Sequence, residues 1–258
     1  MKKLPFVFVA LVFSGCDSAP KPEKAKAPVS TTAPKVEYFH VDAATAGAVH
    51  GRVSFAGKRP ARKKIDVSED PMCAKMHAAG LYDESVVVNP NGTLANVFVY
   101  VKQGLEGKTF EPSKEPVVID QKGCRFAPRV FGIQTGPPLN VVNSDPVTHN
   151  IHPLAQVNRA WNQSQDPQTE PLKRRFLQRE LMIKVKCNIH SWMRAWIGAV
   201  EHPYFAVSAQ SDGSFELPNL PPGDYTIEAW HEVYGVQEQK ITVKPSGKED
   251  VSFTFKGE

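Results

Sequence analysis

From about residue 47 onward, apolar and polar residues alternate over short runs that stop at Gly, Pro or Asn. "GAVHGRVSF" (47–55) alternates and breaks at Gly57, and "SVVVN" (85–89) runs into the turn string "NPNG" before "NVFVYVK" (96–102). "PVVID", "FGIQT" and "LNVVN" follow between 116 and 143, then "LMIKVKC" (181–187) and "AWIGAVEH" (195–202). "GSFELPNL", "GDYTIEAWH", "QKITVK" and "DVSFTFK" complete the chain. A period of two in runs rich in β-branched and aromatic residues predicts strands, and many short strands with turns between them predict an all-β sandwich. Helix is confined to "EDPMCAKMHAAG" (69–80), where Asp70 stands near a start and Gly80 at an end.

Before residue 47 the pattern fails. Residues 16–47 are rich in Pro, Lys, Ala, Ser and Thr, a composition that buries too little surface to order itself and reads as a disordered tether. Ahead of it, "MKKLPFVFVALVFSGC" sets two lysines before an apolar run, Leu4 to Phe13, then small residues and Cys16. A charged start, a short apolar stretch and a small-residue cleavage site make an export signal, and the run is too short for a stable membrane span. "VFSGC" resembles a bacterial lipobox, although Phe13 replaces the usual Leu or Val. The resemblance implies a signal peptide over 1–15 and a lipidated Cys16 holding the protein at the periplasmic side of a bacterial membrane. Plain secretion is the alternative.

Composition changes this picture little. The chain has 258 residues, 41% hydrophobic and 22% charged, which is ordinary for a folded protein. Removing Lys2 and Lys3 from the 31 basic residues leaves 29 against 27 acidic ones. That balance argues against nucleic acid as a partner.

The candidate chemistry lies in "KCNIHSWMRAWIG" (186–198), where Cys187-x-x-His190-x-x-Met193 places three donors within seven residues. Taken alone, the stretch is equally a buried strand end and turn. A zinc site would want four strong donors, commonly with Cys-x-x-Cys knuckles, and none occurs. Thiolate, imidazole and thioether together suit copper, provided a second imidazole is supplied. "VVNSDPVTHNIHPLA" offers His149, 38 residues before Cys187. "NSDPVTHNIH" with "CNIHSWM" resembles the cupredoxins, the type 1 blue copper proteins of amicyanin and plastocyanin type. The resemblance implies one type 1 copper, with His149, Cys187 and His190 as equatorial ligands and Met193 on the axis. By the same resemblance Asn150 bonds across to the Cys187 loop. Asn143 is expected to cap or turn its strand end, and Trp192 to pack near or shield the metal. His152 is read as a non-ligand. His202 and His231, with Glu232, are read as structural rather than as a second site.

Three further cysteines, Cys73, Cys124 and Cys187, fall in the exported part, and an odd number leaves one unpaired. If Cys187 holds metal, Cys73 and Cys124 are left to form a disulfide. A soft-metal site at "MCAKMH", using Met72, Cys73, Met76 and His77, is the competing reading.

The last block, "SDGSFELPNLPPGDYTIEAWHE", resembles the transthyretin-like or carboxypeptidase-regulatory-like β-sandwich module through Asp212-Gly213-x-Phe215 and Leu220-Pro221-Pro222-Gly223-x-Tyr225. Such a module begins with a strand like "GRVSFAGKRP", here at 51–60. The expected fold is therefore all-β: a Greek-key β-sandwich of cupredoxin type over 115–205, plus a second, smaller sandwich divided between 48–114 and 206–258. A tandem order remains open. The resemblances imply a membrane-tethered protein that carries single electrons between redox protein partners, with no substrate chemistry of its own. Copper storage, delivery or sensing is the alternative, and a structural surface module with a copper site is a third.

Overall fold

The computed structural model describes residues 36–257. The expected signal peptide, Cys16 and most of the tether lie outside the described residues. Among the described residues, no helix is long and apolar enough to cross a membrane.

The first stretch of chain contributes β1 (Gly47–Ala56), β2 (Lys64–Ile65), the short helix α1 (Pro71–Met76), β3 (Leu81–Tyr82) and β4 (Phe98–Gln103). The middle stretch holds β5 (Val117–Gln121), β6 (Phe126–Ala127), β7 (Val130–Gln134), β8 (Pro138–Asn143), β9 (His149–Pro153), β10 (Gln163–Gln165), β11 (Leu172–Arg175), β12 (Glu180–Lys186) and β13 (Arg194–Val200). The last stretch adds β14 (Phe205–Val207), β15 (Ser214–Leu220), β16 (Gly223–His231), β17 (Gly235–Val243) and β18 (Lys248–Lys256). The fold is all-β apart from α1.

Pairing crosses the middle stretch. β1 lies between β15 and β18, parallel to β18 from Ala48 opposite Lys248 to Ala56 opposite Lys256. β4 lies between β14 and β16, and β17 completes that sheet. The alternation places Val49 and Val53 of β1, Val99 and Val101 of β4, Ile227 of β16 and Phe253 of β18 in one buried cluster between the two sheets. Within the middle stretch, a five-stranded sheet, β10-β9-β12-β13-β7, faces a four-stranded one, β11-β8-β5-β6. Ile133, Val141, Ile151, Val185 and Ile197 fill the space between them.

A third cluster joins the two sandwiches. Phe98 and Tyr100 of β4 meet Val130 and Val200 at β7 and β13. The approach is close enough to require glycine: a Cβ on Gly198 would stand 2.5 Å from the Phe98 ring, and one on Gly132 would stand 2.2 Å from Phe205. Beside this contact, Arg129 donates to both carboxylate oxygens of Glu232, at 2.6 and 2.9 Å.

Three local expectations differ from the structure. "SVVVN" forms no strand. Asn89 and Thr93 close a turn on each other, and only Val88 bridges to Leu94. "LKRRF", not among the runs predicted as strands, contains an edge strand, β11, paired to β8. Residues 36–46, assigned to the tether, reach the first sandwich. Phe39 N–H donates to Thr109 O (2.6 Å), its ring packs on Phe110 (5.8 Å), and Val41 joins the same core. Average composition across 16–47 hid these apolar residues at its end.

Candidate metal centre

One end of the middle sandwich gathers the candidate donors. His149 opens β9, and Cys187 directly follows β12, which pairs with β9 through Lys186 opposite His152. The loop after Cys187 closes on itself: Met193 N–H donates to His190 O (3.0 Å), and Cys187 N–H donates to Met193 O (3.3 Å). His149, Cys187 and His190 are 0%, 3% and 2% exposed, so the site is dry. Met193 is buried in the same core cluster as Cys187.

The donor atoms converge. The three residues can each offer one ligand atom within 4.8 Å of the others. His149 Nδ1 and His190 Nδ1 stand 2.9 Å apart, and Cys187 Sγ lies 3.9 Å from His190 Nδ1. Two nitrogens bound to a common ion at about 2.0 Å span at most about 4 Å, and a sulfur and a nitrogen span at most about 4.3 Å. Both observed separations fit.

The outer ring nitrogens fix the tautomers. His149 Nε2 is 2.8 Å from Asp145 Oδ2, and His190 Nε2 is 3.0 Å from Asp70 Oδ2. An ionised carboxylate only accepts, so each Nε2 carries the proton and donates it. Both Nδ1 lone pairs then point inward, towards each other and towards the sulfur. Such a buried set of electron pairs is stable only around a cation, a proton or a metal. The sulfur also accepts from Asn150 N–H (3.3 Å) and His190 N–H (3.2 Å).

Electrostatics follow from these contacts. Burial pushes the Cys187 thiol up, but the His149 imidazole and the N–H groups of His190 and Asn150 outweigh it and hold the thiol below its usual value. Burial likewise opposes a charged His149, yet Asp145 and the Cys187 sulfur raise its pKa. Asp145 is held low despite burial, by His149 and by the N–H groups of Cys124 and Gly123. Asp70 is held low first by Cys73 N–H and then, against burial, by His190 and Met72 N–H.

The other singled-out residues have defined places. Asn150 Oδ1 accepts from Asn188 N–H (3.1 Å), joining the His149 strand to the Cys187 loop. Asn143 donates to Val147 O and Gln165 O, both at 2.9 Å, and so shapes the turn ahead of His149. Trp192 packs its ring 5.1 Å from His190 and donates Nε1–H to Cys124 O (3.0 Å). His152 Nδ1 faces Asn188 Oδ1 instead of the cluster. His202 contacts Val101 O, His231 packs with Tyr234 and Phe255, and Glu232 pairs with Arg129; these three do not meet. Cys73 and Cys124 form a disulfide with Cα atoms 5.9 Å apart, so "MCAKMH" supplies no free thiol for a soft-metal site. Cys187 is the free cysteine among the described residues.

Sequence reasoning missed the two carboxylates. Asp145 stood four residues before His149, a spacing that could have been noticed. Asp70 carried only a helix-start signal, and its contact with His190 spans 120 residues.

Fold and site together define an all-β protein with a buried Cys-His-His cluster at one sandwich end. Comparisons with solved structures return partial matches of low TM-score. A copper-containing nitrite reductase from Thermus scotoductus is 22% identical over 38% of this chain and 24% of its own, with a TM-score of 0.32, so the chain spans about a quarter of that enzyme. An oxidised amicyanin mutant is 15% identical over 39% of this chain and 97% of its own, with a TM-score of 0.30. A purple cupredoxin from Nitrosopumilus maritimus is 18% identical over 32% of this chain and 98% of its own, with a TM-score of 0.27. The family model described as polysaccharide lyase family 4, domain II, matches residues 185–251. That match covers the Cys187 loop and most of the last block, under a different description from the carboxypeptidase-regulatory-like module. No curated protein matches the chain.

Proposed function

We propose that this protein is an exported, lipid-anchored type 1 copper protein that carries single electrons between redox protein partners. One observation carries the reading: two imidazole Nδ1 atoms and one thiol converge in a dry site while both Nε2 atoms are tied to carboxylates. A thiol with two imidazoles suits copper, and Met193 at the loop's return would add the weak axial thioether. Copper would supply the one-electron change between Cu(I) and Cu(II). The chain's own residues do the rest. Asp145 and Asp70 hold the imidazoles in one tautomer, Asn150 locks the two ligand segments together, and burial keeps water out. A site held this rigidly changes little with oxidation state, which favours transfer of an electron over substrate chemistry. Cys16 would carry the lipid at the periplasmic side of the membrane.

Copper storage or delivery is the second reading. It is favoured by Met72 and Met76, exposed thioethers on the helix whose cap, Asp70, touches His190. Voltammetry of the copper-loaded protein separates the two. Electron transfer predicts a reversible one-electron wave with copper retained through repeated cycles. Loss of copper to a Cu(I) chelator on reduction would favour delivery.

A further inference from the structure

The cover over His190 has its own construction. α1 is capped by Asp70, whose Oδ1 accepts from Met72 N–H (2.8 Å) and Cys73 N–H (2.9 Å). The other oxygen, Oδ2, holds His190 Nε2 at 3.0 Å. Cys73 Sγ lies 3.9 Å from the same nitrogen and is bonded to Cys124. On the far side of that bond, Cys124 N–H donates to Asp145 Oδ2 (2.7 Å), the oxygen that holds His149. His77 Nε2 meets Gly123 O at 2.7 Å and pins the helix end to the same turn. The contacts thus run in a ring from His190 through Asp70, Cys73, Cys124 and Asp145 to His149. Its middle link is covalent.

We propose that Asp70, delivered by the disulfide-fastened α1 segment, is a positioning residue for the metal ligand His190: it holds the imidazole with Nε2 protonated and Nδ1 facing the metal, and the segment seals the outer ring edge from solvent and from partner proteins. A partner then receives or gives its electron at another part of the surface, because the outer edge of His190 is closed to contact. The metal part of this inference rests on the copper reading; the positioning part does not.

Three variants and two readouts test it. Asp70→Ser keeps a helix-capping side chain but is too short to reach His190. Asp70→Asn keeps the cap through its single oxygen but turns an amide N–H, a donor, towards His190 Nε2 where the native Oδ2 accepts. Cys73→Ser combined with Cys124→Ser removes the covalent link. The first readout is ¹⁵N NMR of the histidine rings in the metal-free protein. In the wild type, His190 is expected to show Nε2–H in slow exchange with solvent; in Asp70→Ser, Asp70→Asn and the double variant that signal is lost. The second readout is Cu(II) affinity by competition, expected to fall by about 10- to 100-fold in both Asp70→Ser and Asp70→Asn, although the latter keeps the helix cap. A protected Nε2–H with unchanged affinity in Asp70→Ser would overturn the proposal and leave Asp70 as a helix cap only. Wild-type protein that takes up no copper would overturn the copper reading, while the metal-free NMR comparison would still decide the role of Asp70.

Discussion

Each candidate ligand depends on a neighbour chosen for charge as much as for shape. A thiol in an apolar core is ordinarily inert and protonated. The Cys187 thiol is held below its usual value, against burial, by an imidazole and backbone N–H groups around its sulfur. The ligand types were legible in the sequence because donors at Cys-x-x-His-x-x-Met spacing share one loop. Their supporting carboxylates were less so, since Asp70 meets His190 only through the tertiary fold. His202 and His231 show the opposite electrostatics. Burial lowers both from the usual 6.5 to about 4, helped at His231 by the Arg129 charge. A histidine kept neutral in the fold is protonated first in the unfolded chain. Its contribution is therefore complete above about pH 6.5 and is lost as pH falls towards 4, by up to about 3 kcal/mol for each. Urea unfolding followed between pH 7.5 and 4 should show stability declining across that window. Replacing His231 with Gln should shallow the slope, and an unchanged slope would mean that the burial of His231 does not matter.

Among the elements, the strands were legible because alternation is local and the core is one-sided. Segments whose structure depends on distant partners were not. β11 exists because β8 offers an edge, not because "LKRR" favours a strand. "SVVVN" has strand composition but spends its hydrogen bonds in a turn. The excursion holding β2, α1 and β3 has little core of its own. Val67, Cys73, Leu81 and Cys124 form a small cluster with Trp192 beside it. The disulfide, which closes a 51-residue separation, is what such a segment needs, and on the chain-entropy account it contributes about 4 kcal/mol. Replacing both cysteines with serine should lower the unfolding free energy by about that amount in denaturant titrations. A change below about 1 kcal/mol would mean that the segment is held by its packing instead.

At the scale of the whole molecule, strands from the first and last parts of the chain pair with each other around the middle one. The alternation indicated most of the longer strands, but not that β1 would lie parallel to β18, about two hundred residues away. Nor could it place Phe98 against Gly198, because contacts between sandwiches leave no periodic trace. The arrangement serves the site. A rigid sandwich end carries His149 and the Cys187 loop, and the segment from the first part of the chain closes over His190. The central claim is that this end binds one copper through a thiolate, and a Cu(II) titration followed by absorption tests it most directly. The account predicts saturation at one equivalent with an intense band at about 600 nm, absent in Cys187→Ser. Colourless binding, or a band unchanged in Cys187→Ser, would contradict it.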